Sequence, residues 1–445
     1  MGMATVRRWT GREARILREA YRLSVRNFAK FLGVGARTVS AWDADPQICP
    51  RPELQAVLDT ALARADDGTR ARFELGLAPT GSPRNLEWTA DPDRLQRSAT
   101  PLWDSQLTDS ALAPEEGMAS NVAALRWLLA SERSVPPRHG PLHVGLADVE
   151  RIREARRTLK AVDHMHGGGA AFPSARRLLR RDLAPLLTGS FTGQTGKALF
   201  ELVAEVTLDV GWMAYDAGDH RLGRAYFSQS LGFAQAAGNR VLGGRALSAM
   251  SHQMLHLGEA EIAADLARAA RIGSTQAGQP RAVAMFAAME AMAEGAMKRE
   301  ASATDALAMA EKALEAAEGV DDGPDQIDFN EGGLWGHAAH VYRDMGKGPV
   351  CVRYAELAIT GCHADHIRTR AQRRAILAAA FTQIGDLDQA ADVGSTIVKE
   401  TWNLQSRHVY LEVKTLATAL DDARSVATSA FRDSAREYLA TADPQ

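Results

Sequence analysis

Apolar positions in this chain recur at three- and four-residue spacing almost throughout, which predicts helices joined by short breaks rather than strands. Over residues 10–22 the inward stripe is Ile16, Leu17, Ala20 and Tyr21, and Thr10 with Glu13 stands as a capping box at its start. Residues 23–43 predict two short helices. Ser24 caps the first, whose Val25, Phe28, Ala29 and Leu32 share one face. Gly33 ends it, because glycine takes a left-handed cap conformation without steric cost. The second, over 36–42, turns Val39 and Trp42 inward and leaves Arg37, Thr38, Ser40 and Ala41 outward. An amphipathic helix follows over 53–64, and the first domain is expected to close near residue 77.

The pattern weakens between 78 and 143, where Pro79, Pro83, Pro92, Pro101, Pro114, Pro136, Pro137 and Pro141 interrupt it. This stretch reads as a linker with one or two short helices, the clearest over 121–129. Helices resume over 144–160, capped at or near Asp148, and over 174–183, with a break at the HMHGGG run of 164–169. From about residue 204 a turn marker repeats: Gly218-Asp219, Gly258-Glu259, Met345-Gly346 and Gly385-Asp386. Lys298-Arg299 falls where a further marker is due but lacks the glycine, and an acidic insertion occupies 319–330. A period near 40 residues argues for stacked helix pairs. The chain thus divides into a head over 1–77, a proline-rich linker over 78–143 and a repeat body over 144–445.

Charge sharpens this division. The net charge is −3, yet residues 1–75 carry +4 and the remainder −7. A basic head on an acidic body suits one end facing phosphates. The three cysteines, Cys49, Cys351 and Cys362, are too scattered for a disulfide frame or a structural zinc site. The chain lacks both an apolar run of membrane-spanning length and an apolar leader core, so a cytoplasmic protein with no membrane partner is expected.

Candidate chemistry is sparse. TGQTGK at 192–197 fails as a phosphate loop, because Phe191 and Ala198 stand where that loop needs glycine and serine or threonine. His164 and His166 lack further ligands at recognisable spacing, so a glycine hinge is the expected role of that run. The acidic insertion lacks the order of a calcium loop; a solvated insertion with Phe329 tucked under is expected. No nucleophile–base pair, carboxylate pair or metal set emerges. The expectation is therefore a non-enzyme with no catalytic residue, no metal and no cofactor.

Residues 23–43 resemble the helix-turn-helix of phage-repressor-like (XRE-type) bacterial regulators. Leu23, Ser24, Phe28, Ala29, Leu32, Gly33, Val34, Thr38, Val39, Ser40 and Trp42 stand in that family's places, with Asp43 for the usual Glu and Val25 for a frequent Gln. The resemblance implies an Arg18–Asp43 pair between helices. The later units resemble tetratricopeptide repeats: Trp335, Ala339 and Tyr342 fit one first helix and Cys351, Ala355 and Ala358 its second. Phe227 with Leu231, and Ala263 with Ala267 and Ala270, fit two other second helices. Together the halves resemble actinobacterial regulators with a repeat body, on VDHMHGGG (162–169), GWMAYDAGDHRLGRAYFSQSLGFAQAAGN (211–239) and ALSAMSHQMLHLG (246–258). They are distantly similar to Gram-positive quorum-sensing receptors, whose repeat body holds a short peptide. The implied fold is all-α, a helix-turn-helix bundle joined to a tetratricopeptide-like solenoid.

The resemblance and groove geometry imply base contacts from Ala36, Arg37, Ser40 and Ala41, with Arg37 bidentate to guanine, and phosphate contacts from Ser24, Arg26 and Thr38. A single small head buries little surface, so a homodimer on a pseudo-palindromic operator in double-stranded DNA is expected, at the nucleoid. First helices of tetratricopeptide units face the concave side. There Trp212, Tyr215, Arg245, His252, Met289, His337, His340 and Arg343 are candidates for a groove that takes a peptide or small-molecule effector. The same stripes fit inter-repeat core, and the histidines also allow pH response or metal binding. The alternative function is an adaptor, in which the solenoid binds a partner protein and the head targets it to DNA.

Overall fold

The computed structural model describes residues 9–45, 48–66, 68–70, 73, 89–104, 117–130, 134–275, 277–320 and 327–441. The expected head boundary at 77 and the middle of the acidic insertion lie outside them. The protein is all-α: among the described residues the only β features are two isolated bridges, Arg138 to Phe191 and His143 to Ser190. No helix there is long and apolar enough to cross a membrane. The chain divides into two units, Met1–Ser82 and Pro83–Gln445.

The first unit packs α1 (Gly11–Ala20), α2 (Val25–Leu32), α3 (Ala36–Ala44) and α4 (Pro52–Ala63) around Leu17, Phe28, Val39, Trp42 and Leu58. Three of these helices begin on a local signal. Thr10 and Glu13 form the expected capping box, Ser24 Oγ accepts from Asn27 N, and Pro52 opens α4 where its missing N–H costs nothing. Gly33 closes α2 at φ 71°. Trp9 ties the ends of the unit together: its indole donates to Asp59 at 2.7 Å and its ring stacks on Phe73.

In the second unit, α5 (Pro92–Asp104) and α6 (Gly117–Leu129) occupy the stretch expected as a linker, and both are sewn to later helices of the same unit. Trp103 donates to buried Gln229 at 3.0 Å. Trp127 is fully buried, and Arg240 lies over its ring while donating to the carbonyls of Trp127 and Ala130. Next come α7 (Leu146–His166) and α8 (Gly168–Leu178), a π-helical turn (Leu179–Leu183) and the short α9 (Ala184–Leu187). The expected break at 164–169 is narrower than its composition implies. His164 and His166 lie inside α7, and the chain turns only at Gly167 (φ 86°), where the carbonyl of Gln405 leaves no room for a side chain.

Helical hairpins then succeed one another: α10 (Gly193–Asp216) with α11 (His220–Ala236), α12 (Arg240–His256) with α13 (Ala260–Thr275), and α14 (Pro280–Ala296) with α15 (Glu300–Glu315). After the insertion come α16 (Glu331–Asp344) with α17 (Gly348–Thr360), α18 (Ile367–Ile384) with α19 (Leu387–Thr401), and α20 (Arg407–Ala419) with α21 (Val426–Thr441). The sequence marker has a simple mechanism. The glycine takes positive φ just past one helix, at Gly218, Gly258, Gly346 and Gly385, and the next residue begins the following helix. Asp219 and Asp386 do so as side-chain caps, accepting from Leu222 N and Gln389 N. At the irregular marker Lys298 itself takes φ 58°, so the turn persists without its glycine. Small residues let the paired helices approach: Ala263, Ala267, Ala270, Cys351, Ala355 and Ala358 are all fully buried. Phe329 is buried in the core, edge-on to His337.

The series closes on itself. α18 packs against α7, and Arg368 at its start pairs with Asp163 of α7 at 2.7 Å and Asp216 of α10 at 3.0 Å. Ser406, capping α20, donates to Asp216 at 2.6 Å. Gln405 exchanges backbone hydrogen bonds with His166 and Gly169. The first helices of the hairpins therefore enclose an interior.

Candidate functional site

Two features stand out, one in each unit. On α3, Ala36, Arg37, Ser40 and Ala41 are exposed along one side, while Val39 and Trp42 are buried on the other. The helix is clamped from behind. Arg18 of α1 donates through Nε to Asp43 at 3.2 Å, its second nitrogen stands 3.0 Å from the other carboxylate oxygen, and its third bonds the carbonyl of Leu23. One guanidinium fork thus ties α1 to α3 and to the start of α2, which holds the exposed face rigid. Ser24 and Arg26 are also exposed, and Thr38 is half-buried at the first turn of α3.

In the second unit, the first helices of the hairpins line a cavity of about 480 Å³. Leu255, Met292, Ile376 and Leu411 supply apolar wall; Tyr215, His252, His340, Arg343, His408 and Glu412 supply polar groups. A second cavity of about 330 Å³ shares the wall of Tyr215, His252, Gln372 and His408 with it. It is much more polar, lined by Lys160, Asp163, Asp209, Arg245 and Arg368 as well as Trp212. Tyr215 stands at the partition, its hydroxyl 3.2 Å from His252 Nδ1 and its ring edge-on to His408.

Burial sets the protonation of this wall. It pushes the Glu412 carboxyl up to about 8, with Asp216 adding to the effect and Arg343 opposing it. It holds His252 down to about 4, helped by His337 and His256, and His340 well below its ordinary range, helped by Arg343. Near neutral pH the cavity therefore presents neutral imidazoles and a protonated carboxyl beside the Arg343–Asp344 ion pair. This set donates and accepts hydrogen bonds with little net charge.

The candidate groove residues separate into three fates. Tyr215, His252, His340 and Arg343 line the larger cavity, and Trp212 and Arg245 join Tyr215 and His252 around the smaller. Met289 does not reach either; it is buried in the hairpin core, the outcome its helical stripe also allowed. His337 is turned away too, with Nδ1 2.8 Å from the carbonyl of Gly333 and its ring against Phe329. Sequence reasoning missed Gln372, His408 and Glu412, which come from later helices. The available signal was His408 and Glu412 one turn apart on the apolar stripe of Val409, Val413 and Leu416. The TGQTGK run opens α10, where Thr192 accepts from Thr195 N as an ordinary cap. No family model matches the chain, and neither a curated protein nor a solved structure matches it.

Proposed function

We propose that the protein is a sequence-specific DNA-binding transcriptional regulator with a helix-turn-helix head and a tetratricopeptide-like solenoid body that senses a small molecule or short peptide. One observation carries the DNA-binding half: the side of α3 that groove geometry would aim at base edges, Ala36, Arg37, Ser40 and Ala41, is free of core duties and exposed. In this reading Arg37 reads guanine, Ser24, Arg26 and Thr38 hold phosphates, and two heads of a homodimer span a pseudo-palindrome. The sensing half is supported by the central cavity, whose 480 Å³ lies in the range that drug-sized ligands fill. An occupant there changes DNA affinity if it prefers one of two conformations of the body.

The test is fluorescence anisotropy of the full chain on its own upstream DNA at two salt concentrations, beside Arg37→Ala. The expected result is a discrete site for the wild type, and for the variant a loss of about 1–3 kcal/mol with relaxed preference at one base position. Equal, weak binding by both proteins that vanishes at the higher salt would overturn the reading.

A further inference from the structure

A cluster outside the proposed DNA-facing helix carries chemistry of its own. His220 opens α11, His256 ends α12, and His408 lies in the first turn of α20. One ring nitrogen from each lies within 4.8 Å of the other two. His220 and His256 are stacked at 5.3 Å, and His256 meets His408 at 4.6 Å. We infer that these three histidines form a binding site for a divalent transition-metal ion of the zinc class, at the rim of the central cavity.

Three observations converge on this. The first is the donor set. Three imidazoles suit zinc, cobalt, nickel or copper and disfavour the hard ions that demand oxygen. The second is His408, which is only 7% exposed and whose Nε2 is buried without a hydrogen-bond partner. A buried ring nitrogen left unsatisfied is costly, and an ion supplies what it lacks. The third is what stands behind that ring. Asp216 Oδ1 lies 3.6 Å from His408 Nδ1. The carboxylate is itself held by Ser406, by the backbone N–H of Gly168 and by Arg368. A fixed carboxylate facing Nδ1 favours the proton there and the lone pair on Nε2; closing the 3.6 Å gap to a hydrogen bond would give the arrangement that orients histidine ligands of metals.

The geometry leaves a modest adjustment. Metal–nitrogen bonds of about 2.0–2.1 Å around a tetrahedral ion place ligand nitrogens about 3.3 Å apart. His256, exposed at a helix end, has the side-chain freedom to close that gap. Three protein ligands leave a fourth position open, the pattern of sites that take water or an exogenous ligand. Since His256 and His408 also line the cavity, that position faces its rim. The site does not depend on the DNA-binding proposal.

The experiment uses the full chain without a histidine tag, stripped with chelator. It is titrated with Zn²⁺ alone by calorimetry and loaded with Co²⁺ for visible absorption. The expected result is one ion per chain, a tetrahedral cobalt spectrum and a Tm raised by zinc. His256→Ala, at an exposed ring, should keep the wild-type circular dichroism and weaken zinc binding at least tenfold; His256→Gln should do the same. His366→Ala, in the separate stack of His164 on His366, should leave binding unchanged. Absence of saturable zinc binding by the wild type would overturn the inference. So would binding that survives both His256 variants, or binding lost with His366→Ala.

Discussion

At the scale of single residues, the interior of the second unit is governed by desolvation. Glu412 is the clearest case, because burial raises its pKa to about 8 against an ordinary value of 4.5. The folded state then holds a proton that the unfolded chain has released. That contribution is fully present below about 4.5 and is lost as pH rises through about 8. His252 and His340 act in the opposite sense, since their depressed values add stability that is lost as pH falls below 6.5. The window between 6.5 and 8 therefore isolates the carboxyl. Urea unfolding across that window should show stability declining with pH, and Glu412→Gln should flatten the decline. An unchanged slope in the variant would remove Glu412 as its source.

At the scale of elements, the hairpin turn explains both the repeat and its irregularity. Each marker places a residue in the left-handed region, where glycine pays no Cβ penalty. Lys298 adopts the same φ with its side chain exposed, so only backbone strain is at stake. Lys298→Gly is expected to stabilise the protein by about 1 kcal/mol, read as a shift in urea midpoint at unchanged m value. A destabilised variant would mean that the lysine makes contacts that outweigh its strain. The caps of α1 and α2, the Gly33 turn and the inward stripes of α1 to α4 were legible for the same reason. A cap is decided within four residues of the helix start and a stripe by 3.6-residue periodicity, both local properties. Boundaries were less legible: α7 runs on to His166 because histidine does not break a helix, and only Gly167 does. The helices at 92–104 and 117–129 gave weak signals because their stability comes from Trp103 and Trp127 inserted into distant helices.

At the scale of the whole second unit, the closing contacts centre on one buried charge cluster. Arg368 is caged by Asp163 and Asp216, with side-chain exposures of 15%, 10% and 4%. Arg368→Leu would leave two carboxylates buried without their cation, at an expected cost of about 3–5 kcal/mol. Hydrogen exchange should localise the loss to α7, α10 and α18, which the cluster joins. A variant as stable as the wild type, with unchanged protection there, would show that apolar packing alone holds the closure. The same cluster positions Asp216 behind His408, so closure and the inferred metal site share a support.

The amino-acid sequence by itself determined the all-helical class, the order of the hairpins, and the outward side of α3. Those features depend on residues a few positions apart, whose spacing is set by the helix itself. Only the tertiary structure decided that Asp216 meets Ser406 and His408, that His220 and His256 converge with His408, and that Met289 and His337 fall outside the cavity. Those outcomes turn on small rotations accumulated from hairpin to hairpin until the later helices meet α7 and α10. No local pattern of residues records that sum.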